Sequence, residues 1–398
     1  MRLSWGLRAV GVGSLWRAGV RGQGVEIGHL DSGVAEHPVL RRRVAAFLDT
    51  DARGRPAGEH PRDELGHGTH TAAIVCGGSV EGLAIGAAPR ARLRSAAVID
   101  AGDNLVRILR GLDWLRGSGV RVLCMALGFE GDNPVLWTML EALRREGVLS
   151  VCAIGNHGPA RPLSPARYPG VLSVGAITEA GEVPGYCARV LDDAGRCVAP
   201  ALLAPGTFAS ADSRGEGLRT MGGTSQACAL VAGIAALLAS ARPRATPGQL
   251  ASALIRGARP IEGLESRCRH GLVDARRALE LLGTHGQRGF GPRPVEPPFF
   301  RDPALMKTAR LGSSFSGGVV RCIVIASSRA ADHPLEGRAA SILARVSKAT
   351  RQQPKAVEYF PVARAAVVEA SPRFIHALAM DSRVRVLSPT RAENRYRL

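Results

Sequence analysis

A serine hydroxyl becomes a useful nucleophile only when a base takes its proton, a third group orients that base, and donors wait for the negative oxygen that forms. Four separate segments of this chain offer those parts. Asp31 stands in Leu-Asp-Ser-Gly after the strand-like run 25–30, and His67 in Gly-His-Gly-Thr-His. Asn156 closes Ala-Ile-Gly-Asn after the run 148–154, and Ser225 lies in Gly-Gly-Thr-Ser-Gln-Ala just before the apolar run 227–240. That last placement puts a hydroxyl at a helix N-terminus, where backbone N–H groups favour an oxyanion. Asp31 would orient His67, His67 would take the Ser225 proton, and the Asn156 amide with the Ser225 N–H would receive the oxyanion. Each residue alone has a plainer account: an Asx turn for Asp31, a satisfied loop histidine for His67, an ordinary N-cap for the Gly-Thr-Ser turn. Four of them in glycine-bearing segments, in the order Asp, His, Asn, Ser, point to a serine hydrolase.

The elements that must hold these residues alternate. Up to about residue 280, short β-rich runs (24–30, 91–98, 120–126, 148–154, 171–176) are interleaved with helical stretches (69–76, 105–116, 136–146, 225–240, 247–256). Near-continuous Val/Ile/Leu/Ala strands separated by helices imply a parallel sheet buried on both faces, with sites at the carboxyl ends of its strands. Asp31 and Asn156 fall at such ends. Residues 283–303 are rich in Gly and Pro without periodicity and read as a linker. Beyond it the pattern is strand 319–326, helix 334–350, strands 356–362 and 364–370, helix 372–380, strand 384–387, the β-α-β-β-α-β order of a ferredoxin-like unit. The expected organisation is therefore a large α/β domain over 1–282, the linker, and a small α+β domain over 304–398.

Bulk properties narrow the function classes. At 398 residues the chain exceeds one ordinary core, and 45% hydrophobic residues with a mean hydropathy of +0.04 suit a globular protein. No run approaches the roughly 20 apolar residues of a bilayer span, so no membrane role is expected. The net charge is +18, yet the arginines are scattered, with 41–43 the only run of three, and aromatics make up only 4%. Clustered charge and stacking rings are what nucleic-acid binding needs, and no such partner is expected. Residues 9–16 resemble a short leader, but the run contains two glycines, and removing a signal of roughly 15–30 residues would cut at or into the strand that presents Asp31; they read as part of the fold, and a cytoplasmic location is expected. Eight cysteines show no CxxC pair and no zinc-type spacing. Cys187 and Cys197 bracket a polar turn and could bridge, while the lack of an export signal favours reduced thiols.

The chain resembles the subtilisin-like serine peptidases over about residues 16–280. The matching stretches include Leu30-Asp31-Ser32-Gly33-Val34, His37-Pro38, Gly66-His67-Gly68-Thr69-His70, Gly86-Ala87-Ala88-Pro89, Met125-Ala126-Leu127-Gly128, Ala153-Ile154-Gly155-Asn156, Tyr168-Pro169-Gly170, Ala204-Pro205-Gly206, Gly223-Thr224-Ser225 and Gly271-Leu272-Val273-Asp274-Ala275. The order Asp, His, Ser is the one such enzymes use. The resemblance implies a three-layer subtilisin-like domain with a mainly parallel sheet. It also implies peptide-bond hydrolysis through an acyl-enzyme, with substrate lying as an extra strand between residues 123–128 and 151–155. Ala126, Leu127, Gly128, Ala153, Ile154 and Gly155 would then bind substrate and suit an apolar or extended side chain beside the scissile carbonyl.

This sequence departs from the family pattern in places. Gln226-Ala227-Cys228-Ala229 follows the serine where Met-Ala and then a proline are usual. Ala126 replaces a common serine, and Val39 stands where many members place a calcium-binding aspartate after His-Pro. No cofactor is required by this chemistry, and a structural calcium has no support in the sequence. Residues 319–390 resemble the family's propeptide, which normally precedes the catalytic domain. Only about fifteen residues precede the match here, so an intramolecular C-terminal domain would restrain or assist the enzyme, its tail 388–398 entering the cleft. Two other readings stay open: a catalytically quiet peptide-binding protein, and a processing peptidase dedicated to one partner.

Overall fold

In the computed structural model the described residues are 2–51, 55–99, 104–284, 320–326, 335–360, 365–379, 381 and 384–387. The expected linker beyond residue 284 and the tail 388–398 lie outside them. The described elements fall in two compact units.

The first unit is built on an eight-stranded sheet of β1 (Glu26–Asp31), β2 (Val44–Thr50), β3 (Pro56–Gly58), β4 (Arg92–Ala97), β5 (Val122–Met125), β6 (Leu149–Ala153), β7 (Leu172–Ile177) and β8 (Leu202–Pro205). Their spatial order is β8-β7-β6-β5-β1-β4-β2-β3. All neighbours pair in parallel except β3, which runs antiparallel at the edge. The chain first builds β2, β3 and then β4 on one side of β1, with β4 inserted between β1 and β2, and afterwards winds outward from β5 through β8 on the other side. The boundary between β1 and β5 is thus a switch point, where a crevice opens at the strand ends.

Helices cover both faces. Alternation along β1 sends Gly28 and Leu30 toward α2 (Asn104–Leu115), where a Cβ on Gly28 would lie 2.6 Å from Leu115 and one on Gly111 3.2 Å from Leu30. It sends His29 and Asp31 the other way, toward α1 (His67–Cys76). Beside α1 lies α3 (Thr224–Ala241), whose residues 224–239 are all buried. Helix α3 is long and apolar enough to cross a membrane, but 89% of it is buried inside the domain, as befits a core helix. A Cβ on Gly233 would sit 2.8 Å from the Val75 carbonyl oxygen, so the two helices touch almost backbone to backbone. Both contact points lie eight residues into the segments that begin at His67 and Ser225.

The hairpin β9 (Thr207–Ala211) and β10 (Leu218–Gly222) leads directly into α3. His70 on the first turns of α1 bonds the carbonyls of Phe208 and Arg219 on that hairpin, tying the start of α1 to the strand that precedes α3. The two helices therefore begin at the same end of the sheet. The N-terminal run forms helices Trp5–Ala9 and Val12–Arg17, with Leu7, Val10, Val12 and Leu15 buried in the main core. Cys76, Cys124, Cys152, Cys187, Cys197, Cys228 and Cys268 are free and buried, so Cys187 and Cys197 do not bridge.

The second unit contains β11 (Val320–Ala326), α4 (Leu335–Thr350), β12 (Ala356–Phe360), β13 (Ala365–Ala370), α5 (Pro372–Ala379) and β14 (Val384–Leu387). Its four strands lie in the order β12-β13-β11-β14, all antiparallel. Phe374, Ile375 and Leu378 of α5 and Ile342, Leu343 and Val346 of α4 form a small core against Val324, Ala366 and Val368.

Candidate active site

The site is assembled from strand ends and helix starts. Asp31, the last residue of β1, is fully buried and accepts from the Ser32 amide at 2.7 Å and from His67 Nδ1 at 2.7 Å. A buried carboxylate is tolerated only when its lone pairs are satisfied. Burial alone would push the Asp31 carboxyl up, but the charge and N–H of His67, the nearby His29 and the Ser32 amide together hold it below the usual carboxylate range. The same pair acts on His67: burial opposes its charged form, yet the Asp31 carboxylate raises its pKa above the ordinary value. An ionised carboxylate can only accept, so Nδ1 carries the proton and Nε2 is left as the basic nitrogen.

Two glycines let the loops approach. Gly33 has φ +123°, and a Cβ there would lie 1.9 Å from the Arg62 carbonyl oxygen. A Cβ on Gly68 would lie 2.0 Å from the Gly33 oxygen, so the start of α1 is packed against the Asp31 loop without any side chain between. Asp63 locks this junction. It accepts from the Ser32 hydroxyl, the Gly66 amide, the Thr69 amide and the Thr69 hydroxyl, at 2.6–2.9 Å. The Ser32 hydroxyl in turn accepts from the Gly68 amide. Asp63 is not among the candidate residues named from the sequence; its four donors make it the clamp between the two loops.

Ser225, the second residue of α3, donates its hydroxyl to the Ala126 carbonyl at 2.9 Å and makes no hydrogen bond to His67. Ala126 directly follows β5. Strands β1 and β5 pair as far as His29 with Cys124, so Asp31 and Ala126 each stand two residues beyond that last pair, on neighbouring strands. One strand end thus holds the imidazole and its neighbour holds the hydroxyl, at the switch point. Asn156 Oδ1 accepts from the Thr224 amide at 2.9 Å and from the Thr224 hydroxyl at 3.0 Å. This fixes the amide's orientation and turns its NH2 group away from those bonds, with Nδ2 2.9 Å from the position of a Cβ on Gly223. The four residues named from the sequence are thereby brought to one end of the sheet. Thr224, which the sequence reading passed over, is the link between Asn156 and the start of α3.

The two expected substrate segments differ. Among the described residues the main-chain groups of Leu127 and Gly128 make no hydrogen bond, so this side remains open to an added strand. The other side is closed: Ala153 lies in β6 and pairs with Val174, Ile154 bonds through both its N–H and its carbonyl, and the Gly155 amide donates to the Thr224 hydroxyl. Residues 153–155 therefore form a wall and cannot serve as a second strand partner. The space expected to take an apolar or extended side chain is partly filled. The side chains of Ala126, Leu127, Ala153 and Ile154 are buried, and the gap between the segments holds Leu163. A Cβ on Gly128 would be 2.6 Å from Leu163 Cβ, and one on Gly155 2.7 Å from Leu163 Cγ. Leu163 is pinned there by its amide bond to the Ile154 carbonyl, while Ser164 exchanges main-chain bonds with Phe129.

With this geometry in place, comparison with known proteins is decisive. The profile of the Subtilase family matches residues 22–282. The chain belongs to the subtilase family. It is similar to the thermostable alkaline protease of Halalkalibacterium halodurans, 28% identical over 279 residues that cover 69% of this chain and 73% of that protein. Similarity to the minor extracellular protease Epr of Bacillus subtilis is 31% over 253 residues, 62% of this chain but 37% of that protein. Similarity to subtilisin Savinase of Lederbergia lenta is 30% over 243 residues, 60% of this chain and 85% of that one. By family this subtilase is a serine endopeptidase, a hydrolase whose substrates are peptides or proteins.

For a subtilase with His67 held by Asp31, the rate should depend on the neutral imidazole. Because the His67 pKa is raised above 6.5, kcat/KM should fall on acidification with a midpoint above 6.5. A pH–rate profile measures this, and a midpoint below 6 would contradict the Asp31–His67 coupling.

Proposed function

We propose that this chain cleaves peptide bonds through an acyl-enzyme, with Ser225 as nucleophile, His67 as general base, Asp31 as its orienting carboxylate and Asn156 as oxyanion donor. The observation that carries this reading is the placement of the Asp31–His67 and Ser225–Ala126 hydrogen bonds on adjacent strand ends. A substrate strand pairing along residues 126–128 would take over the Ala126 carbonyl. The Ser225 hydroxyl, released, turns about χ1 toward His67 Nε2, and its proton passes there as the oxygen attacks. The resulting oxyanion is met by the Asn156 amide and by the Ser225 N–H at the start of α3. His67 then returns its proton to the leaving amine, and a water repeats the sequence to free the acid. The nucleophile, the base, its orienting carboxylate and the oxyanion donors in these steps are all residues of this chain.

A fluorophosphonate probe tests this directly. Ser225 should be labelled stoichiometrically, and Ser225→Ala should abolish both labelling and hydrolysis; an unlabelled wild-type protein would instead favour a quiet peptide-binding role. Asn156→Ala should keep the reaction but lower kcat by about 10²–10³, the loss known for the equivalent donor of subtilisin.

The position of Leu163 bears on selectivity. The side chain next to the scissile carbonyl must enter between Ala126 and Gly155, since Ser225 and Thr224 bond to those residues. Leu163 occupies the floor of that space, so we infer a preference for small residues such as alanine there, narrower than the apolar or extended side chain suggested by the sequence. With peptide p-nitroanilides differing only at this position, the alanine substrate should exceed the phenylalanine one by about tenfold in kcat/KM, since a few methylenes of misfit are worth 10–200-fold. Leu163→Gly should reverse the order, and an unchanged ratio would refute the inference.

We also infer that the C-terminal unit restrains or assists the peptidase. The support is its strand and helix order alone, β11-α4-β12-β13-α5-β14, which is that of the family's propeptide. Removing residues 304–398 should raise peptidase activity or lower the folding yield; no change in either would refute this role.

A further inference from the structure

Beneath the Asp31–His67 pair lies a second histidine that the reaction above does not use. His29 is fully buried on β1, two residues before Asp31 and on the same face of the sheet. Its Nδ1 lies 2.9 Å from the Ser95 hydroxyl on β4, the residue directly opposite in the strand pair. Its Nε2 lies 3.0 Å from the hydroxyl of Thr71, and that hydroxyl lies 3.0 Å from Asp31 Oδ2. Thr71 stands four residues after His67 on α1, hence on the same helix face. An i, i+4 pair on a helix is thus docked on an i, i+2 pair on a strand, and all four side chains meet at one carboxylate.

We propose that His29 and Thr71 form a positioning pair for Asp31, a hydrogen-bonded chain from Ser95 through His29 and Thr71 that supplies the carboxylate with a third donor and fixes the oxygen facing away from His67. This rests on the peptidase reading. The direction of every bond follows from proton counting. Asp31, ionised, accepts only, so its bond to Thr71 needs the Thr71 proton on Oδ2; the rival acceptors, the Gly68 carbonyl at 3.1 Å and His29 Nε2 at 3.0 Å, are uncharged and weaker. Having given its proton, the Thr71 oxygen must accept from His29, which places the His29 proton on Nε2. Nδ1 is then an acceptor, and Ser95 donates to it. A neutral His29 satisfies all of these bonds, whereas a protonated one would need Ser95 to reverse. Burial, which pushes the His29 pKa down, favours the neutral form even though Asp31 pulls the other way.

The remaining ionisable groups around this chain are His67 on α1, Asp63 in the loop before it, Cys124 on β5 and Cys228 on α3. Both thiols are pushed up, Cys124 first by its hydrogen bond to Cys228 and then by burial, Cys228 by burial itself. They stay neutral and leave Asp31 as the acceptor on which the chain ends. The consequence for the reaction is a matter of charge sharing. A carboxylate that gives part of its charge to Thr71 pulls less on the His67 imidazolium. Oδ2 is also anchored, so Oδ1 keeps its aim on Nδ1.

Thr71→Val keeps the shape and removes the donor. It should lower kcat about tenfold with KM within twofold, in line with the loss of a partner that orients a site residue. It should also move the acid limb of the pH–rate profile upward, because the unshared carboxylate holds the His67 proton more tightly. Thr71→Ser should restore both. His29→Leu should shift the limb in the same direction, and the double variant should match Thr71→Val within twofold, as expected of two residues acting through one bond. An unmoved acid limb with kcat within twofold in Thr71→Val would overturn the proposal.

Nitrogen-15 NMR of the wild-type full chain gives a reading that needs neither variants nor turnover: His29 should be the neutral Nε2–H tautomer at neutral pH. An Nδ1–H tautomer or a protonated ring would overturn the proposal. If the wild type is not labelled at Ser225, the peptidase reading fails separately, and the His29 tautomer still decides whether this chain of bonds exists.

Discussion

The structure around the site depends on one hydrogen bond, from His67 Nδ1 to a carboxylate with no exposure to water. Removing a carboxylate from solvent costs far more than a single bond returns, so Asp31 can remain ionised only inside a cage of donors. The cage consists of the Ser32 amide, His67 and Thr71, and each donor is held by something else. Ser32 bonds Asp63, His67 opens a helix that rests on Gly33, and Thr71 leans on His29. The fold's expenditure of glycines and buried polar side chains near residues 29–71 is explained by the need to satisfy that charge.

Around this centre the domain uses small residues to bring backbones together. Helices α1 and α3 meet at Gly233, and the start of α1 meets the Asp31 loop at Gly68. Close approach keeps the hydroxyl of one helix and the imidazole of the other at neighbouring strand ends. Much of the remaining core is apolar, with Ile27, Cys124, Val151 and Val174 of the sheet in one hydrophobic cluster with Ala232, Ile234 and Ala235 of α3. A rigid platform of this kind suits a reaction in which an error of an ångström in placing the base is costly. The open main chain of Leu127 and Gly128 is the exception, left unpaired at the edge where an extended peptide can add.

The proposed substrate preference rests on a different kind of contact. The wall at residues 153–155 spends its hydrogen bonds on Val174, Leu163 and Thr224, so it is stiff. Leu163 is inserted between Gly128 and Gly155, and on the proposed preference it would set the depth of the space beside the nucleophile. The side chain to which that preference is assigned thus comes from a loop that carries no chemistry.

The sequence by itself determined the parallel α/β core, because strands buried on both faces must be apolar throughout and helices must separate them. It also determined the four candidate residues, because glycine-bearing turns at strand ends and helix starts mark where backbone must bend tightly. The run 69–76 read as a helix, and its true start at His67 was missed because a glycine N-cap in left-handed conformation leaves no polar side chain as a signal. What only the tertiary structure decided is which polar groups share a bond. Thr71 and His29 are 42 residues apart and each reads alone as an ordinary residue of a helix or strand. Asp63, Thr224 and Leu163 act through partners that no local pattern names. Periodicity and turn chemistry are local and survive in the linear chain, whereas the satisfaction of a buried charge and the filling of a pocket are set by distances between segments that only folding brings together.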